Sequence, residues 1–123
     1  MDRTRINDQL RALLSGNKEI KGAVVSTRDG LLLSNVGTGF DADRIAAMIS
    51  TALGLGYHML GTADLGELRE INFAAEGGIL SIYSVGTVAV LAVISKPNSN
   101  FGMIQLQARR CAEAVNPEVE LAR

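Results

Sequence analysis

One cysteine and one histidine, more than fifty positions apart, are all that this 123-residue chain has of the side chains most used in nucleophilic and acid–base chemistry. Side-chain catalysis needs a nucleophile, a base and a group that orients the base. Cys111 and His58 fall on different expected helices, which leaves no such set. Metal-ligand spacing is also missing, with no Cys-x-x-Cys, no His-x-x-x-His and no run of closely spaced Asp and Asn. The sequence therefore predicts a protein that is not an enzyme, with no catalytic residues, no metal and no cofactor. A lone thiol excludes a disulfide within the chain and suits a reducing cytoplasm, with Cys111 a small core residue.

A charge excess of either sign is missing too. Twelve Lys and Arg against 13 Asp and Glu leave a formal charge of -1, so no general field draws in nucleic acid or an anionic membrane. No apolar leader follows the polar Met1-Asp2-Arg3-Thr4-Arg5, and a cytoplasmic protein is expected. Gly37-Thr38-Gly39 lacks the Lys-Ser/Thr ending of a phosphate loop, and Gly54-Leu55-Gly56 falls within a helical pattern. There is no repeat and no linker. With 47% hydrophobic residues, the chain reads as a single domain over residues 1–123 with a core of its own.

What is present is punctuated clearly. Ile6, Leu10, Leu13 and Leu14 form one helical stripe, with Gly16 suited to a left-handed C-cap. Gly22 to Thr27 and Leu31 to Asn35 flank an Asp29-Gly30 turn, the mark of a hairpin. Asp41 suits the N-cap of a second helix reaching about to Gly61. A period of two begins at Glu67, placing Ile71 and Phe73 on one face and Leu68 and Glu70 on the other. Ile79 to Val85 and the unbroken apolar run Val88 to Ile94 follow, the latter requiring cover on both faces. Ser or Asn after Pro97 caps a last helix, which Asn116-Pro117 should stop. The order is helix-strand-strand-helix-strand-strand-strand-helix, an α/β (α+β) fold.

The middle helix is the unusual element, because Ile45 to Ala63 are nineteen residues without a formal charge. A membrane span needs about twenty apolar residues, but Ser50, Thr51, His58 and three glycines interrupt this one, and no membrane insertion is expected. Turned at about 100° per residue, Ile45, Met48, Ile49, Ala52, Leu53, Gly56, Met59 and Leu60 share a broad face assigned to the sheet. Ala46, Ser50 and Gly54 form a small-residue stripe, with Tyr57 among them. That stripe fits either a helix of a second copy across a two-fold axis or a loop of the same chain, and the dimer is the preferred reading. A third face, with Arg44, Thr51, Leu55 and His58, is the candidate partner surface.

The hairpin Gly22 to Leu33, the uncharged helix, the Glu76-Gly77-Gly78 turn, the Val88-to-Ile94 strand and Asn100-Phe101-Gly102 come in an order and spacing that resembles the Roadblock family, over about residues 22–115. The resemblance implies a profilin-like five-stranded antiparallel sheet, with the middle helix on one face and the terminal helices on the other. It also implies a homodimer formed by pairing the third strand, Leu68 to Ala75, across the two-fold axis, which adds Leu68, Ile71 and Phe73 to the expected interface. It implies further a small Ras-like GTPase as partner, recruited or activated through the paired middle helices without insertion of a catalytic arginine. No small-molecule substrate is expected. The alternative is a small-molecule sensor domain, whose pocket should gather convergent polar groups, whereas the polar residues of this chain sit mainly at turns and helix ends.

Overall fold

The computed structural model of the protein describes residues 2–120. Helix α1 (Arg3–Gly16) is followed by the hairpin β1 (Ile20–Thr27) and β2 (Leu32–Gly37), then α2 (Ala42–Thr62), β3 (Glu70–Ala75), β4 (Gly78–Val85), β5 (Ala89–Ser95) and α3 (Phe101–Glu120). All neighbouring strands pair antiparallel in the order β2-β1-β5-β4-β3. Strand β5 is central, and its apolar run is almost wholly buried, as a strand covered on both faces must be.

Helices α1 and α3 cover one face through Ile6, Leu10, Ile104, Ala108 and Val115 against Val25, Tyr83, Leu91 and Val93. Helix α2 covers the other through Ala46, Ile49 and Leu53 against Val24, Ile82, Val90 and Ala92. Helices α2 and α3 are started by the side chains expected to start them, and α1 by Asp2. Asp41 accepts from the Arg44 N–H at 3.2 Å, and Asn100 from the Met103 N–H at 3.2 Å. At the far end of α2, Leu65 N–H reaches Leu60 O at 2.9 Å and Asp64 N–H reaches Gly61 O at 3.1 Å. With Asp64 at φ 58°, these bonds close the helix as a Schellman motif.

Three expectations are corrected. Gly16 takes no left-handed conformation; it ends α1 inside the helix, and Asn17 leaves in an extended one. Strand β3 begins at Glu70, so Leu68 lies before the ladder and the period of two does not reach it. Helix α3 runs through Pro117 to Glu120. Pro117 removes one donor near the helix end, where few bonds remain to be lost. Continuing the helix buries Val119 fully and brings Glu118 to 3.6 Å from Arg5.

Candidate partner surface and an adjoining polar cleft

The rotation of α2 about its own axis decides what this protein can present. Among described residues α2 is the one helix long and apolar enough to cross a membrane by length and composition, with a mean hydropathy of 1.2. Its buried residues are nevertheless only Ala46, Ile49 and Leu53. The cause is the hairpin tip. Gly30, at φ +98°, seats against the helix so closely that a Cβ there would lie 3.3 Å from Ala47 Cα and 3.6 Å from Ser50 Cβ. Small residues at Ala46 and Ser50 are thus explained by a loop of the same chain. Ala46 is fully buried against the sheet, and its assignment to a dimer interface is corrected for that reason. Tyr57 is held from the same side, its hydroxyl accepting from Arg28 Nη1 and its ring 5.9 Å from the guanidinium carbon. Gly54 meets nothing within 4 Å and faces outward.

The rotation turns the opposite flank of α2 outward. Met48 and Met59, assigned to the sheet from the sequence, are 66% and 60% exposed, and Leu55 is 59% exposed. They run at i, i+7 and i+11 beside Phe73, which is 53% exposed on the edge strand β3. Between helix and strand lies an apolar groove of about 310 Å³, lined by Ile45, Met48, Ile49, Ala52, Phe73, Leu80 and Ile82. Leu68 and Ile71 are half-buried against the core on the α2 side. Gly56 permits their approach, since a Cβ there would meet Ile71 Cδ1 at 3.1 Å and Leu68 Cδ1 at 3.7 Å. Leu68 and Ile71 therefore support the edge strand from within, and of the three residues Phe73 is the exposed one. Arg44, Thr51, Leu55 and His58 are all exposed, and their spacing places them in one stripe next to the methionine flank. A contiguous apolar patch on an edge strand and its neighbouring helix is the usual mark of an interaction surface.

A second feature lies where β3 stops short. Glu70 pairs with Tyr83 as the last rung, and Ser84 and Val85 of β4 continue past it. A cleft of about 730 Å³ wraps this open edge, with Arg28, Tyr57 and Ser84 on the α2 side and Tyr83, Arg109 and Asn116 on the α3 side. Arg28 Nη2 donates to Ser84 Oγ at 3.3 Å and to the Gly86 carbonyl at 3.4 Å. Arg109 pairs with Glu70, which also accepts from Gln105 Nε2 at 2.8 Å and Asn72 Nδ2 at 3.0 Å. Burial pushes the Glu70 carboxyl up, and the hydrogen bonds from Gln105, Asn72 and Arg109 outweigh it, holding the group below the ordinary carboxylate range. Burial raises the Tyr83 phenol, so that it stays a donor at neutral pH. On the outer helical face Cys111 is buried, and burial pushes its thiol up to about 11. Among the described residues no group of three or more His, Cys, Asp or Glu could hold a metal ion.

The sequence pointed to neither the methionine flank nor the cleft. Met48 and Met59 were hidden within an apolar sector too broad for one contact face, and the eight-residue count was the available sign. The cleft's polar residues come from the hairpin turn (Arg28), from β4 (Tyr83, Ser84) and from α3 (Arg109, Asn116), and the sheet order brings these elements together.

A five-stranded antiparallel sheet between one helix and a terminal pair is the profilin-like architecture, and comparison with solved structures agrees. Myxococcus xanthus MglB superposes with a TM-score of 0.87 at 18% identity, covering 97% of this chain and 90% of that one. The Roadblock/LC7 domain from Streptomyces avermitilis gives 0.85 at 22%, covering 93% and 97%. Schizosaccharomyces pombe profilin gives 0.68 at 13%, covering 89% and 94%. The pattern of the Roadblock/LC7 domain matches residues 6–95, and the chain belongs to that family. The match opens in α1, earlier than Gly22, and closes at the end of β5. No curated protein sequence matches the chain.

Proposed function

We propose that this protein is a homodimeric, non-catalytic regulator or scaffold of a small Ras-like GTPase, acting in the cytoplasm by activating or recruiting its partner. The observation that carries the reading is the exposed flank Met48 and Met59 beside Phe73 on an edge strand. Pairing β3 with its own copy satisfies the open backbone edge, and the same movement brings two α2 flanks together over it. The resemblance of the chain to MglB supports the GTPase as partner. In the dimer, the exposed stripe Arg44, Thr51, Leu55 and His58 of each α2 would lie alongside its copy as one docking face. No side chain on that face is arranged to attack a phosphate, so any effect on GTP turnover would come from holding the GTPase's own loops.

The test is co-elution of the protein with a Ras-like GTPase in each nucleotide state, followed by GTP turnover with and without it. Complex formation lost on Arg44→Glu and His58→Glu, with the dimer intact, is the expected result. Absence of a complex in both nucleotide states overturns the proposal.

A further inference from the structure

The cleft at the open end of β4 holds two buried polar atoms without a hydrogen-bond partner, Arg28 Nε and Asn116 Oδ1, and beside them the buried Tyr83 hydroxyl, whose one side-chain neighbour for hydrogen bonding is Ser81. Tyr83 is 2% exposed, so its hydroxyl has no route to bulk water except through the cleft. Leaving a buried donor or acceptor unpaired is costly, and such groups commonly mark a missing partner. Their chemistry is mixed. Arg28 and Tyr83 offer donors, and Asn116 offers an acceptor. Among the described residues, Arg28 and Arg69 have no carboxylate partner, while Glu67 and Glu113, which also line the cleft, have no cationic one. The cleft therefore presents unpaired cations and unpaired carboxylates side by side.

We propose that this cleft is a binding site for a free amino acid, its carboxylate on Arg28 and the Tyr83 hydroxyl and its ammonium on Asn116 and the Glu113 side. A zwitterion is the class that answers both signs at once. A strand-adding peptide would find only Ser84 and Val85 of the β4 edge open, too few rungs for that mode. The volume of about 730 Å³ lies within the usual range for small-ligand sites. Recognition of this kind would make the chain a sensor as well as a binder, on a site separate from the α2 docking stripe.

The experiment titrates the full chain with each proteinogenic L-amino acid in turn, read by amide and side-chain shifts in heteronuclear NMR and by thermal shift. Glutarate and leucinamide serve as probes lacking one charge each. The expected result is saturable binding of at least one amino acid, with shifts centred on Arg28, Tyr83 and Asn116. Glutarate and leucinamide should bind at least about tenfold more weakly, and Tyr83→Phe, which removes only the hydroxyl, should weaken the amino acid by about tenfold, as should Arg28→Lys. Three results would each overturn the proposal. One is no saturable shift with any amino acid, and another is binding that both substitutions leave unchanged. The third is cleft shifts that follow protein concentration instead of ligand, which would assign the space to a second copy.

Discussion

Replacing Phe73 with Glu tests the dimer most directly, because the ring is exposed in the protomer and is needed only if something covers it. A Phe side chain presents about 200 Å², and 53% of it is open, leaving about 100 Å² to be covered. At about 25 cal/mol per Å² this is about 2.5 kcal/mol per protomer. In the proposed two-fold dimer both copies lose it, so the pair stands to lose about 5 kcal/mol, before the cost of burying a carboxylate. Affinity between the two copies should therefore fall by about four thousandfold. Sedimentation or light scattering across a concentration series measures it. Leu106→Glu is the control, since Leu106 is 42% exposed on α3, across the sheet, and that substitution should leave the mass unchanged. A Phe73→Glu protein that keeps the wild-type mass, or a Leu106→Glu protein that loses it, would refute the placement of the interface.

Other substitutions separate packing from docking. Ala46→Leu should destabilise the fold by about 1–3 kcal/mol in denaturant titration, because it overfills the contact between α2, the sheet and the Gly30 turn. Gly54→Ala should raise protomer stability by about 1 kcal/mol in denaturant titration through helix propensity alone, since a Cβ there meets nothing within 4 Å in the protomer. Glu70→Gln should cost about 1 kcal/mol at neutral pH. Because the folded carboxyl titrates below its ordinary value, the stability that its charge contributes is present above the unfolded pKa and lost as pH falls through the folded one, so the gap between variant and wild type should close in acid. Cys111, with its thiol raised to about 11, should resist iodoacetamide in the native protein near pH 8 and react readily once unfolded. The same shift should lower stability as pH rises from about 9 towards about 11, the interval in which the unfolded thiol ionises first.

The elements were legible wherever a local residue decides the backbone. Asp41 and Asn100 start their helices, Asp29-Gly30 turns the first hairpin, and the unbroken Val88-to-Ile94 run announces a strand covered on both faces. The rotation of α2 was not legible. A helix without charges has no wet side to orient it, so Met48 and Met59 were indistinguishable from Ile49 and Leu53. Contact with Gly30, remote in sequence, chose between them. Pro117 misled because a local rule for stopping helices was outweighed by the burial of Val119, a tertiary effect. Of the candidate partner residues, Arg44, Thr51, Leu55 and His58 were placed correctly on an exposed face by spacing alone. Arg28, Tyr83 and Asn116 could not have been grouped, because the order of strands is what joins them.

Strand β3 has only six residues, and symmetry makes its pairing countable. Antiparallel rungs alternate between hydrogen-bonded and open pairs, and a two-fold axis between two copies must map each rung onto one of its own kind. The axis can therefore pass only through a rung in which a residue faces itself. If that residue is Phe73, Glu70 falls opposite Glu76 of the second copy, and like charges meet twice. If it is Asn72, Ile71 falls opposite Phe73 in both directions on the α2 side, and no carboxylate faces another. Parity thus reduces the registers to a short list, and charge favours Asn72 over Phe73. Under oxidation, Asn72→Cys would crosslink the Asn72-centred dimer to itself, whereas a cysteine at Phe73 would face Ile71 and stay reduced.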